Sequence, residues 1–171
     1  VNYRLGALGH CSPDGDPAGA NKPVRDLLRA LHWVQENIGR LGGDPAQVTV
    51  VGQSAGAWYA WLLGVSPAAR GLLRRNILLS IPMVAPMSTD ELAQASQVVM
   101  EGAGGRPLDA LAVDEVLQRQ VALMRTRVRF GEIPIGLRPA VEDGLVPSWM
   151  LDLGHAARQA HVSQTLVGST A

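Results

Sequence analysis

The sequence predicts an α/β fold with a mostly parallel sheet, and two patterns support this prediction. Segments rich in β-branched and aliphatic residues alternate with segments of helical apolar spacing, in the order strand, helix, strand, helix, strand. The central strand runs directly into Gly52-Gln53-Ser54-Ala55-Gly56, and a helix-compatible segment follows at once. Such alternation is typical of parallel strands covered by helices on both faces of the sheet.

The first part of the chain is predicted to contain a strand, a long loop and a helix with one apolar face. Residues 1–5 have the composition of a strand, and the glycines and prolines of residues 6–19 predict a long irregular loop. Asn21 is a plausible helix N-cap, after which apolar residues recur every three or four positions as far as Leu41. Gly42-Gly43 should end this helix as a left-handed C-cap, so a helix with one buried face is expected before the central strand.

After the central helix, the chain continues with a short helix and another strand. Ser66-Pro67 is typical of an N-cap and a first-turn proline, and residues 77–81 are a compact apolar run that predicts a buried strand. Near the end of the chain, residues 165–167 predict a last strand, and residues 133–141 contain prolines and a glycine that predict an irregular connection.

Residues 87–139 have a different character from the rest of the chain. Ser88 and Glu91 form a capping box at the start of a helix that ends near Met100, and a second helix is predicted at residues 113–124. No strand is predicted between these helices. They are interpreted either as a helical excursion over the sheet that forms a wall of a substrate pocket, or as two ordinary packing helices.

The stretch around Ser54 has the context that gives the G-x-S-x-G pattern its meaning. A strand, a sharp turn and a helix together predict a nucleophile elbow, in which Ser54 projects its hydroxyl from the end of a sheet. Positions 52 and 56 are expected to require glycine, because a Cβ at Gly52 or Gly56 would collide with the neighbouring strand and helix. The free amide of Ala55 at the helix start can hold a developing oxyanion.

The composition excludes several classes of function. The chain has 15 basic and 15 acidic residues in 171, and no basic run interleaves with aromatic residues, so a nucleic-acid partner is not expected. Cys11 is the single cysteine, and no Cys/His cluster has the spacing of a zinc site. No apolar stretch is long enough to cross a membrane, and no metal or organic cofactor is implied. Because the chain begins at Val1 in an apparent strand, localisation remains open.

The sequence resembles the type B carboxylesterase family, the α/β-hydrolases that include bacterial para-nitrobenzyl esterases and cholinesterases. The resemblance is dense over residues 1–80 and thin over residues 87–139. The segments that carry it are Val1 to Gly9, Ala30 to Ile38, Gly42-Gly43-Asp44-Pro45, Val48-Thr49-Val50, Gly52 to Ala57, Ser66-Pro67, Leu73-Arg74-Arg75, Ile77, Ser80 and Val141 to Gly144. Departures include Gln53, where the family usually has Glu, and the residue after Ser80, where it has Gly.

The resemblance implies a Ser-Glu-His triad acting on a small-molecule ester, with Ser54 as nucleophile. It also implies that Ala55 provides one oxyanion-hole amide and that Ser80 lies near the acid and supports it. The family's acid, histidine and glycine-rich oxyanion loop fall outside this chain. Residues 1–171 are therefore expected to be the central part of a single α/β-hydrolase domain, inactive in isolation and prone to aggregate through exposed sheet edges.

Two alternatives remain open at this point. The order Ser54, Asp143, then His155 or His161 is the chain order of an α/β-hydrolase triad, so a self-contained hydrolase is possible in principle. A degenerate or truncated hydrolase-fold protein without catalysis is the other alternative. His10, His32 and Cys11 have no evident role in either.

Overall fold

The computed structural model describes residues 1–12, 15–127 and 136–170, which divide into two compact units. The sheet unit consists of Val24–Ala85 and Asp143–Ala171 with Val1, and the helical unit consists of Asn2–Pro23 and Pro86–Glu142. The helices and strands are, in chain order, α1 (Gly6–His10), α2 (Pro17–Ala20), α3 (Lys22–Asn37), β1 (Thr49–Gln53), α4 (Ala55–Val65), β2 (Arg75–Leu79), α5 (Thr89–Met100), α6 (Val113–Arg127), α7 (Leu153–Arg158) and β3 (Gln164–Gly168).

The sheet is parallel, as the sequence predicts. Its order is β1-β2-β3, and Thr49 pairs with Arg75, which in turn pairs with Gln164. β2 begins at Arg75, two residues before the predicted run 77–81. A search for apolar residues misses this start because Arg75 is charged. Its Nε donates to Gln164 Oε1 at 2.7 Å, a polar contact between neighbouring strands.

Both long helices of the sheet unit pack on the same face of β1. Leu31 of α3 and Leu63 of α4 belong to one buried cluster, and Val50 of β1 packs against it. On the other face of the sheet, Val51 and Leu166 are exposed, so the second helical layer expected from the sequence does not cover these residues within the described part of the chain. α3 ends as predicted, through a 3₁₀ turn at Ile38–Leu41 and then Gly42 at φ 83°.

The first twenty residues differ from their prediction. Residues 1–5 are not a strand in the described structure, because they join no ladder of hydrogen bonds with another strand. The backbone of Leu5 is nevertheless extended, at φ −124° and ψ 176°. The predicted loop contains α1 and α2. The start of α2 has a recognisable signal, since Asp16 Oδ1 accepts from the Ala18 amide and Pro17 occupies the first helical position.

Asn21 immediately precedes α3, but its side chain serves another part of the chain. Asn21 is fully buried; its Oδ1 accepts from the Ala140 amide at 2.9 Å, and its Nδ2 donates to the Ala140 carbonyl at 2.9 Å. The Asn21 Nδ2 also donates to Glu142 Oε2 at 2.8 Å. The predicted N-cap side chain therefore holds the distant residues 140–142, and no pattern in the local sequence reveals this pairing.

The helical unit confirms both predicted helices. The capping box at the start of α5 is complete: Glu91 N donates to Ser88 Oγ at 3.2 Å, and Ser88 N donates to Glu91 Oε2 at 2.9 Å. Arg119 of α6 binds the Val99 carbonyl at the end of α5. Residues 133–135 of the predicted irregular connection lie outside the described residues. The placement of residues 87–139 over the sheet stays a prediction.

Candidate active site

Ser54 occupies the turn between β1 and α4 in a conformation that side chains rarely adopt. Its φ is 53° and its ψ is −121°, and its side chain is exposed. The turn is held on both sides: the Ser54 amide donates to the Leu79 carbonyl at 2.9 Å, and the Trp58 amide donates to the Ser54 carbonyl at 3.1 Å. A non-glycine residue at positive φ costs on the order of 1–3 kcal/mol and persists only where its surroundings impose it. The predicted strand, sharp turn and helix around Ser54 are therefore present.

Gly52 permits this turn, whereas Gly56 meets no such restriction. A Cβ built on Gly52 would lie 2.1 Å from the Gly56 carbonyl oxygen and 2.5 Å from the Ala57 nitrogen, both of them backbone atoms. A Cβ built on Gly56 would meet no atom of the described chain within 4 Å. The expected collision is therefore found at Gly52, and the expectation is wrong for Gly56 among the described residues.

The start of α4 supplies unpaired amide donors beside Ser54. Ala55 is the first residue of α4, so its amide has no intrahelical acceptor, and the helix dipole places partial positive charge at this end. Ala57, one turn from Ser54, is buried against the sheet and anchors this end of the helix. The geometry therefore provides an exposed hydroxyl next to a fixed, electropositive helix terminus.

Ser80 occupies the same position on the neighbouring strand. It follows β2 directly, has φ 50°, is exposed, and donates from its amide to the Gly168 carbonyl of β3 at 2.7 Å. Ser54 and Ser80 thus leave adjacent parallel strands at the carboxyl edge of the sheet, where strands are separated by about 4.8 Å. The sequence pattern identified Ser54 and the family resemblance identified Ser80, but neither indicated that Ser80 shares the strained backbone of Ser54.

The residues of a self-contained triad are not brought together. The His161 amide donates to the Gly64 carbonyl at 2.9 Å and its ring Nε2 contacts the Ser66 carbonyl at 3.1 Å. Both contacts lie at the carboxyl end of α4, which has 11 residues and therefore places them about 15 Å from Ser54. His161 also precedes β3, so it lies at the amino edge of the sheet, opposite to Ser54.

Asp143 and His155 do not complete such a triad either. Leu145, two residues after Asp143, accepts a hydrogen bond from Ser66 Oγ at 2.6 Å, again at the carboxyl end of α4. The His155 ring stacks on Trp149 at 5.9 Å between centroids, and its Nε2 contacts the Gln159 side chain at 3.2 Å. Within the described residues, neither histidine hydrogen-bonds to Ser54 or to Asp143, so the geometry does not support the self-contained triad.

The remaining candidate side chains, His10, Cys11 and His32, make no hydrogen bond to Ser54 within the described residues. His10 lies in α1 and is 2% exposed; burial lowers its pKa to about 4, partly offset by the hydrogen bond from its Nδ1 to the Gly6 carbonyl. Cys11 is fully buried and His32 is exposed on α3. Among the described residues, no three His, Cys, Asp or Glu side chains are grouped so that they could hold a metal ion. In the same residues, no helix is long and apolar enough to cross a membrane.

A family model, related sequences and solved structures all match this chain to esterases and related hydrolases. The model of the carboxylesterase family matches residues 1–169. Phenmedipham hydrolase from Pseudarthrobacter oxydans is 32% identical over 151 residues, covering 86% of this chain and 30% of that protein. Cholinesterase 1 from Branchiostoma lanceolatum is 41% identical over 97 residues, covering 57% of this chain and 27% of that protein. A solved PNB esterase superposes with a TM-score of 0.77 at 29% identity, covering 99% of this chain and 37% of that one.

Proposed function

The chain belongs to the carboxylesterase family and has part of the α/β-hydrolase fold, and we propose that Ser54 is the nucleophile with which the intact protein hydrolyses small-molecule carboxylic esters. The observation that supports this most directly is the conformation of Ser54, an exposed serine at φ 53° between a parallel strand and a helix. The chain spans 30% of the length of its hydrolase relative, so an activity of the whole protein remains a proposal.

The proposed reaction has two acyl-transfer steps. Ser54 Oγ attacks the ester carbonyl carbon while a histidine base takes the hydroxyl proton, and the tetrahedral intermediate collapses as the same proton passes to the leaving alcohol. Water then attacks the acyl-serine by the same route, which releases the carboxylic acid and restores the Ser54 hydroxyl. The Ala55 amide donates to the oxyanion in both steps, a contact that costs no reorganisation because α4 already fixes it.

The base and its acid partner are proposed to come from outside this chain. His161 contacts the far end of α4, and the His155 ring is paired with Trp149 and Gln159, so neither is placed to take the proton of Ser54. Ser80, which lies beside Ser54 at the carboxyl edge, is proposed to hydrogen-bond the triad acid. In the described residues its hydroxyl makes no hydrogen bond, which leaves it available for such a contact.

Replacement of Ser54 by alanine in the intact protein tests the proposal. We expect turnover of 4-nitrophenyl acetate and butyrate to fall on the order of a million-fold, as removal of a serine nucleophile does elsewhere. A fluorophosphonate probe should label the unmodified protein and leave Ser54→Ala unlabelled. The matched control is Ser163→Ala, because Ser163 is exposed at the amino edge, where its Oγ donates to the Arg74 carbonyl at 2.9 Å. Ester hydrolysis within tenfold of the unmodified protein in Ser54→Ala would show that the nucleophile is a different residue.

A further inference from the structure

The chain that follows Ser80 is fixed against the first turns of α4. Ile81 packs into the cluster formed by Ala57, Ala60 and Leu78, directly behind the elbow. Three residues further on, the Val84 carbonyl accepts a hydrogen bond from Trp58 Nε1 at 2.7 Å. Residues 81–84, named here the shoulder segment, are therefore held at both ends by the half of α4 that begins at the nucleophile.

Met83 is the exposed apolar residue between these two fixed points. Met83 is 64% exposed, whereas Trp58, which donates to the carbonyl of the following residue, is 4% exposed. The Ser54 amide is hydrogen-bonded to the Leu79 carbonyl, and the four residues from Leu79 to Met83 span at most about 14 Å when fully extended. The Met83 side chain therefore lies within reach of an acyl or alcohol group of several carbons that projects from an ester bound at Ser54.

We propose that Met83 contacts the apolar substituent of the ester and contributes to substrate selectivity, an inference that rests on Ser54 being the nucleophile. A methionine suits this role because its unbranched thioether chain adapts to groups of different shape. The rigid attachment of Ile81 and Val84 suits it as well, because a wall that did not hold its position could not discriminate between substrates. The occupant is an aliphatic or aryl group of several carbons.

Chain-length selectivity in the intact protein tests this inference. The probes are 4-nitrophenyl esters from acetate to octanoate, together with a series of acetate esters of longer alcohols. We expect Met83→Ala to lower the ratio of kcat/KM for the longest to the shortest substrate by roughly tenfold in one of the two series, the range seen when apolar pocket contacts are removed. Met83→Leu, which conserves volume, should keep that ratio within about twofold.

Leu41→Ala is the matched control, because Leu41 is 71% exposed but lies before β1, at the amino edge of the sheet. It should leave both selectivity ratios unchanged. If Met83→Ala lowers only the thermal midpoint and leaves both ratios within twofold, Met83 packs against protein and the inference is overturned. Failure of the proposed function has a different sign, because Ser54→Ala would then keep its esterase activity. If Ser54→Ala is inactive and Met83→Ala keeps both selectivity ratios, only the inference about Met83 fails.

Discussion

At the carboxyl edge of the sheet, Ser54 and Ser80 leave their strands at φ 53° and φ 50° with exposed side chains. At the amino edge, three polar side chains contact backbone carbonyls: Ser66 Oγ donates to the Leu145 carbonyl, Ser163 Oγ donates to the Arg74 carbonyl, and the His161 ring contacts the Ser66 carbonyl. The same residue type therefore serves opposite purposes at the two edges.

The difference is one of free energy. Each strained serine at the carboxyl edge costs on the order of 1–3 kcal/mol, and its hydroxyl gains no hydrogen bond within the described residues that would offset this cost. Ser66, the buried serine at the amino edge, instead contributes about 1 kcal/mol or more through its hydrogen bond, and the exposed Ser163 contributes less. With Ser54 as the proposed nucleophile, we expect function and stability to be separated along the strands, so substitutions at the two edges should have opposite effects on activity and on unfolding.

Among the substitutions that compare the two edges without removing the proposed nucleophile, Gly52→Ala is expected to have the largest effect. The added Cβ would lie 2.1 Å from the Gly56 carbonyl oxygen, and these backbone atoms can separate only if β1 and α4 move apart. A displacement of about 1 Å at a nucleophile costs on the order of 100-fold in rate, so we expect at least this loss in kcat/KM for 4-nitrophenyl acetate. Overpacking of this kind also destabilises by about 1–3 kcal/mol, which urea unfolding would measure.

Gly56→Ala is the control for this substitution. A Cβ at Gly56 meets nothing within 4 Å in the described chain, and alanine is favoured over glycine in a helix by about 1 kcal/mol. We therefore expect Gly56→Ala to unfold at the same or a higher urea concentration than the unmodified protein. Equal kcat/KM in Gly52→Ala and the unmodified protein would contradict the assignment of the elbow as the strained, functional edge.

The elbow could be predicted because its determinants are local. Four β-favouring residues, a glycine that permits a tight backbone approach and a helix-compatible run are contiguous in the sequence, and the structure places Ser54 where they indicate. The capping box of Ser88 and Glu91 was predictable for the same reason. In both cases the physical cause lies within a few residues of its effect.

The sequence failed where the determinant lies far along the chain. Residues 1–5 have strand composition, but a strand also needs a partner, and composition cannot supply one. Asn21 binds Ala140, and Trp58 binds Val84, through pairings that no local pattern encodes. The second pairing fixes one end of the shoulder segment, so this segment was missed as well.

The next largest effect is expected at the amino edge, from Ser66→Ala. Ser66 is fully buried, and its Oγ donates to the Leu145 carbonyl at 2.6 Å. Removing the hydroxyl leaves a buried carbonyl without this donor, which should lower the free energy of unfolding by about 1–3 kcal/mol. Ser163→Ala, at an exposed position, should change it by less than about 0.5 kcal/mol. Both variants should keep kcat/KM within twofold; a loss of activity larger than the loss of stability explains would break the separation of the two edges.

The smallest effect, and the sharpest test of the comparison, is expected from His161→Gln. Burial lowers the pKa of His161 from its ordinary value, the hydrogen bond to the Ser66 carbonyl partly offsets this, and nearby Arg70 adds to the lowering. The pKa of His161 in the folded state lies below its value of about 6.5 in the unfolded chain. As the pH falls below about 6.5, the unfolded chain therefore binds more protons than the folded chain does. The contribution of His161 to stability is therefore present at pH 7 and is lost as the pH falls below about 6.5.

Urea unfolding at pH 7 and pH 5 should accordingly show a smaller decrease in stability for His161→Gln than for the unmodified protein, because glutamine does not titrate in this range. The kcat/KM for 4-nitrophenyl acetate at pH 7 should remain within twofold, since the ring lies at the opposite end of α4 from Ser54. A loss of about 100-fold or more with an unchanged unfolding midpoint would make His161 a catalytic base. The amino edge would then carry function as well as stability, and the placement of the base outside this chain would be wrong.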